Sequence, residues 1–256
     1  MNKLPISILL AAGVALSGAN LSLAQDGTDV PDLRPIEIQL CSYHDRKDSD
    51  DYDDAMAKMR EWMDDNDAQP YAAWRLYPLF AGRQDFDFVY IGAWSDGASM
   101  GKDIAQYRAT AGDAIEAADD VVDCNDSSMF TSLNIKALEG DGTGDFILTV
   151  TDCTIADGRS AGDVIDALVE YGEYRNASGS PGGTWIWFPS YSAGDEDFSF
   201  KLANSFAGLE AFGNHFKWNR DNQAYLKRRD LFSGLMSCNT ARAYTGDTIV
   251  NTLPTT

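Results

Sequence analysis

Histidine, basic charge and long apolar runs are what this chain has least of. Of 256 residues only His44 and His215 are histidine, which leaves little material for a His-based metal centre, a Ser-His-Asp set or an imidazole acid-base pair. With two histidines no Ser-His-Asp set can be argued, and no Gly-rich loop of the phosphate-cradling kind is present, so hydrolase and nucleotide-dependent chemistry are poor readings. Lys and Arg number 20 against 40 Asp and Glu, a formal net charge of -20. A surface of that sign repels nucleic acid and anionic lipid, and neither is expected as a partner. No apolar stretch reaches the roughly 20 residues that a bilayer core requires, so no membrane span is expected.

The N-terminus carries the longest apolar run, from Leu4 to Leu16 behind the single Lys3, and ends in Ser22-Leu23-Ala24 before Gln25. That is the layout of a secretory signal over 1–24, and it places the mature protein in the periplasm or outside the cell. Residues 25–34 then read as a loose N-terminal arm. In an oxidising compartment the four cysteines are expected to pair.

Two stretches carry the same landmarks in the same order at an offset of about 110 residues. The first runs Cys41, Trp74-Arg75-Leu76-Tyr77-Pro78, Asp85-Phe86-Asp87-Phe88, Trp94, Met100-Gly101 and Cys124-Asn125. The second runs Cys153, Trp185-Ile186-Trp187-Phe188-Pro189, Asp197-Phe198-Ser199-Phe200, Phe206, Phe212-Gly213 and Cys238-Asn239. Cys and Trp are rare types, and their recurrence in register marks an internal duplication: one unit over 35–138, a second over 146–246. The Gly- and Asp-rich segment 139–145 reads as a linker, and 247–256 as a polar tail.

Each unit has one hydrophobic pattern. Ile36, Ile38 and Leu40 alternate with polar residues as a strand, and Phe146 to Val150 opens the second unit likewise. Tyr52, Ala55, Met56, Met59, Trp62 and Met63 recur at helical spacing, as do Val164, Ile165, Leu168 and Val169. Two extended segments, a second helical region (around Met100, Ile104 and Tyr107, or Leu209, Phe212 and Phe216) and a last strand at Cys-Asn complete the unit. The order β-α-β-β-α-β predicts an α+β fold of two tandem ferredoxin-like units, packed as a pseudo-symmetric barrel or pair. First and last strands are antiparallel neighbours in that unit, so Cys41 is expected to meet Cys124, and Cys153 to meet Cys238.

With Trp94 closing the third strand just before a helix, the unit resembles the dimeric α+β barrel superfamily, which includes antibiotic-biosynthesis-monooxygenase-like and NIPSNAP-like domains. The resemblance implies a cavity between sheet and helices, and a monomer whose two units form an intramolecular pseudo-dimer. It does not fix a reaction. The reading put first is non-catalytic: a small apolar or aromatic ligand in an inter-unit cavity lined by Trp74, Tyr77, Trp94, Trp185, Trp187 and Phe188, or an interaction role in the envelope. The alternative is a cofactor-independent monooxygenase acting on a phenolic substrate, because such members use Asn, Trp and Tyr; Asn66, Trp74, Tyr77 and Trp94 offer those types. His44 and His215 are further catalytic candidates, although a loop and a helix-surface histidine account for them equally well. Similar duplicated units in dye-decolourising peroxidases and chlorite dismutases imply haem on a C-terminal histidine, a part only His215 could play; the Gly-x-x-Asp-Gly motif of those peroxidases is missing. The acidic run Asp45, Asp48, Asp50, Asp51, Asp53 and Asp54, with Asp141 and Asp145, invites calcium but lacks the central glycine and terminal Glu of an EF-hand loop. No cofactor and no metal is assigned. A polar cluster in the cavity of one unit and missing from the other would favour an enzyme over a binder.

Overall fold

Strands whose two faces are both covered organise this protein. The computed structural model describes residues 33–138, 144–191 and 197–254, which belong to one unit of the chain. The expected signal segment 1–24 and linker residues 139–143 lie outside the described residues. The first half contains β1 (Leu33–Tyr43), α1 (Ser49–Asp65), β2 (Tyr71–Phe80), β3 (Phe88–Trp94), α2 (Gly97–Thr110), α3 (Gly112–Asp119) and β4 (Val122–Lys136). The second contains β5 (Phe146–Ile155), α4 (Ala161–Ala177), β6 (Gly183–Tyr191), β7 (Phe200–Phe206), α5 (Gly208–Asp221), α6 (Ala224–Phe232), β8 (Met236–Cys238) and β9 (Arg242–Asn251).

Every pairing is antiparallel, in the orders β4-β1-β3-β2 and β9-β5-β7-β6. β4 pairs with β6 and β2 with β9, so the two sheets close into one eight-stranded barrel. β8 continues the line of β9 along β5, on the Cys153 side. Closure leaves no open edge among these strands. Cys41 and Cys124 are register partners, as are Cys153 and Cys238, and each pair forms a disulfide as expected.

Alternation assigns each strand one face toward the barrel interior and one toward the helices. Ile36, Leu76, Ile91, Phe130, Leu148, Trp187, Ala203 and Tyr244, one from each of the eight strands, form the interior core. Outside, α1 is capped by Asp48, whose side chain accepts from the backbone N–H of Asp50 and Asp51 while Asp51 returns a bond to the Asp48 N–H. Its apolar stripe Tyr52, Met56, Met59 and Met63 lies on the first-half sheet. Ser160 and Asp163 form the same box at α4, which lays Val164 and Leu168 on the second-half sheet.

Three boundaries differ from the sequence expectation. Leu33 and Arg34 belong to β1 and not to an arm, because both pair with β4. Residues 247–251 are no tail: β9 runs to Asn251 against β2, since the barrel must cover that edge of β2. Each second helical region is two helices, broken at Ala111 in one half and at the left-handed Gln223 (φ 50°) in the other. Leu209 and Phe216 point outward at 62% and 63% exposure; Trp218 supplies the buried contact of α5 instead.

Candidate functional site

Between the helix-facing side of the first-half sheet and α1 to α3 lies a cavity of about 530 Å³. That is within the size range of small-molecule sites. Met56, Met59 and Met63 of α1 form one wall, and the rings of Tyr52, Trp62, Tyr71, Tyr90, Trp94 and Tyr107 form much of the rest. Its floor is polar. Tyr71 Oη donates to Glu37 Oε1 at 2.6 Å, Gln39 Nε2 donates to Glu37 Oε2 at 3.0 Å, and the Tyr71 and Tyr90 hydroxyls are 2.6 Å apart. With the Tyr71 proton committed to the carboxylate, Tyr90 supplies the proton of the second bond.

Gly92 makes this chain of bonds possible. It faces the cluster from β3, and a Cβ there would stand 1.9 Å from Tyr71 Oη and 2.6 Å from Glu37 Oε1. Burial raises the Glu37 carboxyl above the ordinary carboxylate range; the Tyr71 and Gln39 bonds offset part of this, and the nearby Asp103 charge adds to it. Burial likewise pushes Tyr71 and Tyr90 well above the usual phenol range, so both are protonated at neutral pH. At the side wall Trp94 Nε1 donates to Asp103 Oδ2 at 2.8 Å, while Asp103 Oδ1 is buried without a hydrogen-bond partner. Burial raises the Asp103 carboxyl more than the Trp94 bond lowers it.

The second half fills the same space differently. At the offset of 112 that pairs Cys41 with Cys153, Glu37 corresponds to Thr149, Tyr90 to Leu202 and Gly92 to Asn204, and at the offset of 111 that pairs Trp74 with Trp185, Tyr71 corresponds to Gly182. Met63 corresponds to Arg175, whose guanidinium is buried and bonds to Ser180 Oγ, Thr184 Oγ1, Asn204 Oδ1 and the Pro181 carbonyl. Desolvation lowers that guanidinium to about 10, so it remains charged near neutrality. The Glu-Tyr-Tyr cluster belongs to the first half alone.

The sequence candidates do not converge. Trp74, Trp185 and Trp187 pack in the barrel interior, Tyr77 and Trp94 on the helix side of the first half, and Phe188 on the helix side of the second. The space between the two sheets is therefore a side-chain core and not a ligand chamber, and of the six ligand candidates only Trp94 lines the 530 Å³ cavity. Tyr77 hydrogen-bonds Tyr43 at 2.8 Å and lies under Arg75. Asn66 caps α1, donating to the Trp62 carbonyl at 2.8 Å, and lines a separate polar hollow beside α3. Asn66, Trp74, Tyr77 and Trp94 thus form no common site, because Trp74 and Trp94 lie on opposite faces of the sheet.

His44 is exposed in the turn after β1. His215 is half-buried: its ring stacks on Trp218 at 5.5 Å and meets Phe206 at 5.1 Å, and Nδ1 is buried without a partner. Burial pushes it down to about 4, with Arg175 and Arg228 adding to the shift. Its ring packs on Phe206 and Trp218, and it lines neither the 530 Å³ cavity nor the hollow beside α3. The acidic run serves α1: Asp48 and Asp51 form its cap, and Asp53 pairs with Arg75 at 3.0 Å. Among the described residues no group of His, Cys, Asp and Glu could hold a metal ion.

Sequence reasoning missed Glu37, Gln39, Tyr71, Tyr90, Gly92 and Asp103. The available signal was the polar face of β1 in a strand whose two faces are both covered.

No protein-family model and no curated protein matches the chain. Among solved structures it is similar to a protein provisionally named a monooxygenase from Lactobacillus acidophilus, at 14% identity over 85% of this chain and 94% of that one, with a TM-score of 0.56. It is also similar to one so named from Fusobacterium nucleatum, at 9% identity over 85% and 92%, with a TM-score of 0.51. These likenesses show the fold, a closed antiparallel α+β barrel.

Proposed function

We propose that the first-half cavity binds a small, largely aromatic ligand that carries a hydrogen-bond donor. The observation behind this is the asymmetry between the halves: Glu37, Tyr71 and Tyr90 line a hollow in one, and Arg175 occupies the matching layer of the other. A buried carboxylate has lone pairs beyond the two donors it already meets, so a ligand hydroxyl or N–H is the group it can take up. Trp62 and Trp94 line the cavity, and their fluorescence should report occupancy. A panel of phenols titrated against the mature protein is expected to change that fluorescence and to lose affinity in Glu37→Gln. Saturable binding unaltered by that substitution would refute the assignment.

Glu37 also supports an oxygenase alternative. A carboxyl raised above its ordinary range can take a proton from a phenolic substrate, the step that prepares such a substrate for dioxygen. By the criterion set from sequence, a polar cluster in one half alone favours this enzyme over a passive binder. Oxygen uptake with a quinol or anthrone-type substrate, abolished in Glu37→Gln, would establish it; binding without uptake leaves a carrier.

We further propose that the halves are two tandem ferredoxin-like units and that the protein is exported. The repeated element order supports the first. Two disulfides, and no helix among the described residues long and apolar enough to cross a membrane, are consistent with the second. An N-terminal sequence beginning at Gln25 on the secreted or periplasmic protein tests it.

A further inference from the structure

We propose, resting on the first-half cavity as a ligand site, that its ligand is an organic cation: a protonated aromatic amine. The carboxyl groups on the cavity wall are those of Glu37, Asp103, Asp119 and Asp123; no Lys, Arg or His lines it. An anionic ligand would meet only like charge. A neutral one would leave the buried carboxyl groups of Glu37 and Asp103 without a counter-charge.

Asp103 is the sharper indication. The residue is 9% exposed, its Oδ2 takes the Trp94 N–H, and its Oδ1 has no partner at the cavity wall. Native proteins leave few buried carboxylate oxygens unbonded; this one is itself buried, and the carboxylate that carries it lines the cavity, where a cation would offset its charge. Six aromatic residues line the cavity, a residue type that recognises ammonium groups, and the three methionines add polarizable contact without a competing charge. The second half carries the inverse: in the layer where Met63 faces the first-half cavity it holds the Arg175 guanidinium, among neutral acceptors. One half has a built-in cation and no carboxylate beneath it; the other has the carboxylates and an empty space.

The test compares two probes of nearly identical shape, phenyltrimethylammonium and tert-butylbenzene, titrated against the disulfide-intact mature protein. Tryptophan fluorescence and calorimetry give the affinities, at about 0.15 M salt so that the general acidic field is screened beyond about 8 Å. The cation is expected to bind about tenfold more tightly or better, and Asp103→Asn, which keeps an acceptor for Trp94, to remove most of that preference. Near-UV dichroism checks that the variant is folded, and the comparison of probes on the unaltered protein needs no variant. If tert-butylbenzene binds as tightly as the cation, the charge assignment is overturned while the cavity stands as a ligand site. If folded Asp103→Asn keeps the full preference, the site assignment is overturned. If neither probe nor any phenol binds, the cavity reading fails with it.

Discussion

Gly92→Ala should disable the floor of the cavity while leaving the backbone free to fold. Gly92 has no positive φ, so alanine meets no conformational barrier there. The added methyl would instead stand 1.9 Å from Tyr71 Oη, and one of the two must move. Moving Tyr71 breaks its bond to Glu37, worth about 1.5–3 kcal/mol as a bond to a charged group, and its bond to Tyr90, worth about 0.5–1.5 kcal/mol. The reduced chain entropy of alanine in the unfolded state returns about 0.4–1 kcal/mol. A net loss of roughly 2–3 kcal/mol is expected, read from urea unfolding followed by tryptophan fluorescence. Tyr71→Phe removes the oxygen that meets the methyl, so the double variant should lose at least about 1 kcal/mol less than the two single losses added. Gly92→Ala as stable as the parent, or strictly additive with Tyr71→Phe, would refute the steric account of this cluster.

Glu37 is raised when folded, so the native state holds its proton to higher pH than the unfolded chain, and stability is lost as pH climbs from about 4.5 through the raised value. Asp103 is the carboxyl facing it, and Tyr71 and Tyr90 stay protonated; Glu37→Gln should therefore gain on the parent between acid and neutral pH, and a stability gap flat with pH would contradict this. His215 has the opposite sign: depressed from 6.5 to about 4, it withdraws stability as pH falls across that interval, and His215→Phe should flatten the acid limb of the unfolding profile. Removing either disulfide as a double Cys→Ala variant opens a loop of 83 or 85 residues and should cost about 4.5 kcal/mol in guanidinium unfolding; a loss under about 1 kcal/mol would show that the strand pairing holds those ends unaided.

Rare residues carried most of what was legible in the sequence. Cys41, Trp74, Trp94 and Cys124 recur in register as Cys153, Trp185, Phe206 and Cys238, and with strand alternation they were enough to give the element order and the disulfide pairing. Alternation says that neighbours face opposite ways without saying what covers each face. Glu37 and Gln39 therefore looked like the solvent side of β1, and become a site only because α1 and α2 cover that side. Trp74, Trp185 and Trp187 failed as ligand candidates for the matching reason: their face is the barrel interior, which eight strands fill. The strand beyond Gly246 was hidden by its polar composition, and only the pairing partner on β2 identifies it.

Substitutions at a few matching positions make the two halves differ between sheet and helices. In the second half Arg175 reaches in from α4, and its donors need neutral acceptors close by, which Ser180, Thr184 and Asn204 provide. Asn204 occupies the β7 position that corresponds to Gly92, so the position that in the first half must carry no side chain here carries the acceptor. In the first half the shorter Met63 leaves room, Gly92 lets Tyr71 cross the sheet to Glu37, and Tyr90 extends the bond where the second half has Leu202. Each set is consistent within itself and incompatible with the other: a guanidinium would plug the space above Glu37, and a carboxylate at Thr149 would find neither tyrosine. The fold supplies two corresponding layers between sheet and helices; a buried guanidinium occupies one, and the other holds the Glu37-Tyr71-Tyr90 cluster beside the 530 Å³ cavity.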